Sequence, residues 1–363
     1  MENKRVAIIG TAGVPARYGG FETLAENLIS HLNKEYKLTI FCSGKIYKEK
    51  LKEYKGAELK YINLNANGVE SVLYDIISII YSLRFADTLL ILGVSGCIIL
   101  PFVKLVSRQK KIVINIDGLE WQRPKWHRLA KWFLKLSEKL AVKYGDVIVA
   151  DNKAIQDYIV KEYGKKSELI AYGGDHTTKE PLSDRVVELY PFLNRNKYAF
   201  TVCRIEPENN IHLILEAFSE YKDLNLVIVG NWDKSLYGQR LRKKYSAFRN
   251  IFLLETIYDQ KILNAIRSNC YIYIHGHSAG GTNPSLVEAM YLGLPIFAYG
   301  IEYNMITTYY KAKYFKTKDE LIELLNKTTY LELREIGINM KIIAEKEYRW
   351  EKISKQYKNI IDD

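Results

Sequence analysis

Cysteine is scarce in this chain. Of 363 residues only four are cysteine, and Cys42, Cys97, Cys203 and Cys270 lie far apart, with no CxxC pair. That pattern excludes a disulfide scaffold and a Cys/His zinc module, and fits buried, reduced thiols in a cytosolic protein. Long apolar runs are also missing. The most apolar region, Val72 to Val106, is interrupted by Asp75, Arg84, Asp87, Gly93, Gly96 and Pro101, so it holds no stretch of about 20 residues fit to cross a bilayer. It reads instead as helix, buried strand and second helix. The opening MENKRVAIIG lacks the apolar core and small-residue cleavage site of a signal peptide. We therefore expect a cytoplasmic protein. There is no low-complexity segment and no short repeat.

What is present is a double series of buried strands. In the first half, Arg5 to Gly10, Lys37 to Cys42, Thr88 to Leu92, Lys111 to Ile116 and Asp146 to Ala150 are β-branched apolar runs separated by helical patterns. In the second half, Ala199 to Arg204, Leu224 to Gly230, Asn250 to Glu255, Cys270 to His275 and Leu294 to Tyr299 repeat the arrangement. Alternation of this kind predicts two α/β domains with doubly wound parallel sheets. The expected division is residues 1–175, a polar linker 176–196, a second domain 197–340, and a C-terminal helix 341–363 packing back toward the first domain. Ligands of such sheets bind outside the carboxyl ends of strands, so the strand-to-helix loops of two facing sheets are expected to line a cleft.

Three of these loops stand out. The first, Gly10-Thr-Ala-Gly13-Val-Pro-Ala-Arg17-Tyr-Gly19-Gly20-Phe-Glu22, follows the first strand and places glycines where backbone amides can approach an anion at a helix start. It lacks the GxGxxG spacing of a dinucleotide site. The second runs from His275 through Gly280-Gly281-Thr282-Asn283-Pro284 to Glu288. Pro284 suits a first helical turn and Asn283 can cap it, which makes a cradle for an anion or sugar hydroxyls. Glu288, a turn inside, can accept hydrogen bonds from a ribose. In the third, Arg204 closes a strand ahead of Ile-Glu-Pro-Glu-Asn209-Asn and is placed to pair with phosphate.

Arg-Ile-Glu-Pro-Glu-Asn-Asn followed by Gly-Gly-Thr-Asn-Pro-Ser-Leu-Val-Glu-Ala-Met resembles the C-terminal half of glycosyltransferase family 4, a retaining family with the two-Rossmann GT-B fold. The first loop, together with Asp117-Gly-Leu-Glu-Trp-Gln-Arg-Pro-Lys-Trp, resembles the bacterial polysaccharide rhamnosyltransferases within it, which use dTDP-rhamnose. The resemblance runs the length of the chain. It implies that Arg204 holds the donor diphosphate, that Glu288 holds the ribose as the second Glu of an E-x7-E motif, and that Gly19 and Gly20 lie near the phosphates. Asn209 stands where most members carry lysine, Gly280 where the first Glu falls, and Asp117 where relatives show histidine. The donor sugar is then expected to lean on the amides from Gly281 to Asn283. The family's chemistry implies front-face attack with the leaving diphosphate as base. No metal or cofactor is expected beyond the nucleotide sugar, and no DxD cluster is present to suggest one.

Charge is uneven. Residues 1–175 carry 27 Lys and Arg against 19 Asp and Glu, and the remainder 26 against 23. Between Trp121 and Lys139, six cations including Arg123, Lys125, Arg128 and Lys131 stand against one acid, interleaved with Trp121, Trp126, Trp132 and Phe133. This predicts a basic amphipathic helix on an acidic membrane surface, close to a lipid-linked saccharide acceptor, rather than a nucleic-acid site, because no recognised reading motif accompanies it. The alternatives are a transferase using UDP- or GDP-hexose, or a GT-B sugar-nucleotide epimerase, which shares the fold but needs acidic catalytic residues at the cleft; neither a binding protein nor an NAD-linked enzyme explains both loops.

Overall fold

The computed structural model describes residues 3–17, 19–116, 118–123, 126–194 and 197–363. The chain divides into two compact units. Unit 1 is Met1–Tyr172 with Trp350–Asp363, and unit 2 is Gly173–Arg349.

Unit 1 begins β1 (Arg5–Ile9), α1 (Gly20–Leu32), β2 (Lys37–Ser43), β3 (Glu53–Tyr54), β4 (Ala57–Ile62) and α2 (Glu70–Ser82). It continues with β5 (Thr88–Leu92), α3 (Leu100–Val106), β6 (Lys111–Ile116), α4 (Arg128–Tyr144), β7 (Val147–Ala150), α5 (Lys153–Tyr163) and β8 (Glu168–Leu169). The sheet order is β3-β4-β2-β1-β5-β6-β7-β8. All pairings are parallel except β3 with β4. The central strands β1, β5 and β6 are apolar and almost wholly buried, as strands covered on both faces must be. The chain winds outward through β2, then returns to the other side of β1 to place β5, which makes a switch point between β1 and β5.

Unit 2 runs α6 (Asp184–Leu189), β9 (Tyr198–Val202), α7 (Ile211–Glu220), β10 (Asn225–Val229), α8 (Leu236–Tyr245), β11 (Ile251–Leu254) and α9 (Gln260–Ser268). It ends with β12 (Ile272–His275), α10 (Pro284–Tyr291), β13 (Ile296–Tyr299), α11 (Glu302–Thr307), β14 (Lys313–Phe315), α12 (Lys318–Lys327) and α13 (Tyr330–Glu347). Its sheet is parallel throughout, in the order β11-β10-β9-β12-β13-β14, with the switch point between β9 and β12.

The last helix, α14 (Trp350–Asp362), belongs to unit 1. Trp350, Ile353, Tyr357, Ile360 and Ile361 join Val6, Leu28 and Ile40 in one buried cluster, and Asn115 Nδ2 donates to Tyr357 Oη at 2.7 Å. The expected returning helix 341–363 is in fact two helices, broken at Tyr348 and Arg349; α13 stays with unit 2, packing on α10. The expected linker 176–196 also lies within unit 2, where part of it forms α6.

Candidate active site

Both loops of the unit 2 switch point are built by contacts between their backbones. After β9 the chain makes a short 3-10 turn, Pro207–Asn209, and Asn210 takes a left-handed conformation (φ 48°, ψ 33°) before α7 begins. Asparagine tolerates that conformation better than most residues. Asn210 Nδ2 donates to Gly276 O at 2.8 Å. Gly276 has to be glycine, because a Cβ there would stand 2.2 Å from Asn209 O. Ser278 then donates twice to Glu208 O, from its amide at 2.8 Å and its hydroxyl at 2.9 Å.

One side-chain chain ties the loops further. Asn209 Nδ2 donates to Arg204 O at 2.8 Å, which turns its Oδ1 toward His277 Nδ1, also at 2.8 Å. An amide oxygen can only accept, so Nδ1 carries the proton. Asn209 is 5% exposed and both ends of its amide are used. The expected donor contact at Asn209 is thus occupied as a strut between loops. Arg204 itself is half-buried, and its guanidinium makes no hydrogen bond or ion pair among the described residues. It is a cation at the carboxyl end of β9, beside the switch point, with its donors unspent.

The second loop enters α10 as the residue types dictate. Gly280 has φ 87°, Asn283 Oδ1 accepts from Ser285 N at 3.1 Å and from Ser285 Oγ at 2.8 Å, and Pro284 takes the first turn. Thr282 and Gly281 are buried. Asn304 Nδ2 pins the loop by donating to His277 O at 2.8 Å. At the end of β12, burial pushes the His275 imidazole down to about 3, so it is neutral.

Glu288 is not a solvated helix-face residue. Arg267 of α9, 1% exposed, pairs with its Oε2, and His176 Nε2 lies 3.1 Å from its Oε1. Burial alone would raise the carboxyl, but the Arg267 charge, with the His176 and Arg267 hydrogen bonds, holds it down at about 2. Arg267 in turn donates to Asn264 Oδ1 at 2.7 Å. Neither His176 nor Arg267 is marked by a motif. The available signal was a single arginine near the end of the amphipathic pattern of α9.

The first loop sits at the unit 1 switch point and is held from within. Glu22 of α1 accepts from Ala12 N at 2.7 Å and Thr11 Oγ1 at 3.3 Å, while Tyr47 Oη donates to Pro15 O at 2.8 Å. Gly19 has φ 140°, and a Cβ there would fall 1.9 Å from Glu22 Oε2. Gly20 opens α1, whose first amides have no side-chain cap. Asp117 and Lys125 lie outside the described residues.

The basic segment is only partly a surface helix. Trp121 sits in a 3-10 turn, Glu120–Gln122, and its indole donates to Glu138 at 3.0 Å. Lys135 turns inward, 4.6 Å from the Trp121 ring centre, 4.8 Å from that of Tyr158 and 3.0 Å from Glu162. Arg123 is buried on Glu120 at 2.7 Å, and the Trp126 indole donates to Glu120 at 2.9 Å. Exposed on α4 are Arg128, Leu129, Trp132 and Lys139, with Lys131 half-buried. Phe102 and Leu105 are exposed on α3, which packs on α4.

Two doubly wound sheets, each with tied loops at its switch point, define the GT-B class. Residues 190–327 match the family described as Glycosyl transferases group 1, and residues 3–175 match a domain of unknown function, DUF1972. The chain is a glycosyltransferase of the GT-B type, a hexosyltransferase by reaction class. It is 25% identical to an uncharacterized glycosyltransferase of Methanocaldococcus jannaschii, MJ1069, over 95% of both chains. The same fold occurs in sucrose-phosphate synthase from Thermosynechococcus elongatus (TM-score 0.82, 13% identity, 99% of this chain and 98% of that one). It occurs also in a glycosyltransferase from Rickettsia africae (TM-score 0.74, 14% identity, all of both chains). No described helix is long and apolar enough to cross a membrane, and no three described His, Cys, Asp or Glu side chains form a metal-binding group.

Proposed function

We propose that this enzyme transfers L-rhamnose from dTDP-rhamnose, with retention, to a lipid-linked saccharide in the synthesis of a bacterial surface polysaccharide such as capsule, O-antigen or cell-wall glycan. The observation that carries it is the unspent guanidinium of Arg204 at the carboxyl end of β9, the strand paired with β12, whose following loop opens the capped N-terminus of α10. A cation and a helix dipole are what a departing diphosphate needs. In the step proposed, the bond from C1 to the β-phosphate oxygen breaks and the acceptor oxygen bonds to C1 from the same face. The acceptor's hydroxyl proton passes to the departing phosphate oxygen. The amides from Gly280 to Asn283 would hold phosphate and sugar, with Glu288 on the nucleoside sugar. No metal has a part in this step.

The donor is named from the subgroup resemblance, and the acceptor from the exposed Leu129, Trp132, Phe102 and Leu105 beside Arg128 and Lys131. Such a mixed apolar and basic face suits the cytoplasmic side of an acidic membrane. The test is incubation with dTDP-rhamnose, UDP-hexose or GDP-hexose, with and without a lipid-linked saccharide. The expected result is release of dTDP only when dTDP-rhamnose and acceptor are both present. Turnover with UDP- or GDP-hexose alone would replace the donor. Free sugar or an epimer formed without acceptor would replace transfer by epimerase chemistry.

A further inference from the structure

At the amino end of the unit 1 sheet, away from the loops that follow β1 and β5, lies a pocket of about 400 Å³. The strand register builds it. Arg5 and Lys37 open β1 and β2 side by side, Thr39 of β2 pairs with Glu58 of β4, and Lys60 stands on the same face of β4 as Glu58. Tyr81, Arg84 and Phe85, from the end of α2 and just beyond, complete the wall. Four cations thus stand against one acid in the lining. Arg5 spends part of its charge on Asp87 at 3.1 Å, and Lys60 pairs with Glu58. Arg84 lies over the Tyr81 ring, 5.6 Å from its centre, and among the described residues its guanidinium makes no hydrogen bond or ion pair.

A row of apolar side chains runs along α2 to this pocket. Val69, Leu73, Ile77 and Ile80 are all exposed, from 37% at Ile77 to 83% at Val69. At about 100° per residue they fall, together with Arg84, inside a sector of about 80°. They therefore form one stripe, about 16 Å long from Val69 to Ile80, that leads to the guanidinium of Arg84. No charge interrupts it, because Asp75 is buried and Glu70 is turned to Lys45 at 2.8 Å. The Tyr81 ring is held edge-on by Phe41 and Phe85 where stripe and pocket meet. Single exposed apolar residues are ordinary on a surface, whereas a continuous row ending at a basic pocket marks a place for a ligand with two unlike ends.

We propose that pocket and stripe form one binding site for a single-chain lipid phosphate, with the phosphate among Arg5, Lys37, Lys60 and Arg84 and the hydrocarbon laid along Ile80, Ile77, Leu73 and Val69. The excess of cations suits a phosphate monoester, which brings up to two negative charges and ends at the phosphate. A stripe one side chain wide suits one hydrocarbon chain rather than two. The arginine fork of Arg84 can pair with two phosphate oxygens at once. This site lies at the opposite end of the strands from the unit 1 switch point, and it requires neither the donor nor the acceptor proposed above.

The experiment is calorimetric titration of the full chain with geranyl phosphate, with geraniol and inorganic phosphate as its two halves and dihexanoyl phosphatidylglycerol as a two-chain diester. Geranyl phosphate is expected to bind at least about tenfold more tightly than any of the other three. Arg84→Ala should weaken it about fivefold, and Arg84→Ala with Lys60→Ala about 25-fold. Ile77→Ser with Ile80→Ser should weaken it about tenfold or more, and a melting curve shows whether that variant is folded. Arg204→Ala should bind it as wild type does, which separates this site from the donor phosphates. Unchanged affinity in the Arg84 and Lys60 variants overturns the inference, as does a loss in Arg204→Ala. Binding of geraniol or inorganic phosphate as tight as that of geranyl phosphate overturns it too, and equal binding of the phosphatidylglycerol replaces the ligand by a membrane phospholipid.

Discussion

His277 Nδ1 lies 2.8 Å from Asn209 Oδ1, and through that contact the loop after β12 is tied to the loop after β9. Asn209 stands where the family resemblance leads one to expect a lysine, yet its amide serves a carbonyl on one side and an imidazole on the other. Asn209→Lys should therefore weaken the enzyme rather than improve it. It leaves Arg204 O and His277 Nδ1 without their partner in a buried place, at a cost of about 1–3 kcal/mol. A lowered melting temperature together with a raised KM for donor is the expected outcome; a stable variant with higher affinity for donor would show that the strut is dispensable.

Arg204 is the opposite case, a cation with no structural duty. Arg204→Ala should melt within a degree or two of wild type and lose about 100-fold or more in kcat, because the charge assists the leaving diphosphate. Steady-state kinetics beside a melting curve decide the matter. Near-normal turnover removes Arg204 from the site.

The ion pair between Arg267 and Glu288 makes a double-mutant cycle informative. Arg267→Met strands a carboxylate and Glu288→Leu strands a guanidinium, each at a cost of about 3–5 kcal/mol. The double variant removes both charges and should be more stable than the sum of the single effects implies. Urea denaturation of the four proteins measures the coupling. Strict additivity would mean that the two side chains do not depend on each other.

Asp75 on α2 gives the chain a stability that falls as pH rises. Burial pushes its carboxyl up to about 7, against which the hydrogen bond from Ser95 works only in part. The folded protein thus binds a proton that the unfolded chain releases near pH 4, so stability is full below that pH and declines through neutrality, by up to about 4 kcal/mol. Asp75→Asn should flatten this slope and raise the melting temperature at pH 8 more than at pH 5. An identical pH profile for the two proteins would show that Asp75 does not titrate in this range.

The mixed face of α3 and α4 should bind anionic vesicles in two parts. Arg128→Glu with Lys131→Glu should remove the salt-sensitive part, worth about 1 kcal/mol per charge, and Leu129→Ala with Trp132→Ala the part that survives high salt. Lys135 is left intact, since an acid there would face Glu138 and Glu162. Co-sedimentation across a salt series reads both parts. Equal binding by all three proteins would make this face an ordinary solvated surface.

The sequence was most legible where strands are covered on both faces, because β1, β5, β6, β9, β10 and β12 are mostly apolar and almost wholly buried. Edge strands were not. In β4 buried Ala57 and Leu59 alternate with exposed Glu58, and β3, β8 and β14 are two or three residues long. Within the site, glycines and caps announced the loops because their chemistry is local. The partners of Glu288 were hidden because Arg267 is 21 positions away and His176 is 112. The same distance in sequence concealed the inward turn of Lys135. A count of cations in a window cannot register that Tyr158 and Glu162 wait more than twenty residues later.

The helix Trp350–Asp362 sets the order in which a nascent chain can be completed. Unit 2 is one continuous stretch ending at Arg349, so all of it is synthesised before α14. The apolar face of unit 1 that α14 covers has been made long before, but Leu28, Ile40 and their neighbours stay without Trp350, Ile353 and Tyr357 until those residues are translated. The half synthesised first is therefore the half finished last. During the interval it exposes apolar surface, the condition in which chains become clients of chaperones. Ribosomes stalled with Arg349 just clear of the exit tunnel and α14 still inside it should carry a closed second unit and a sticky first one.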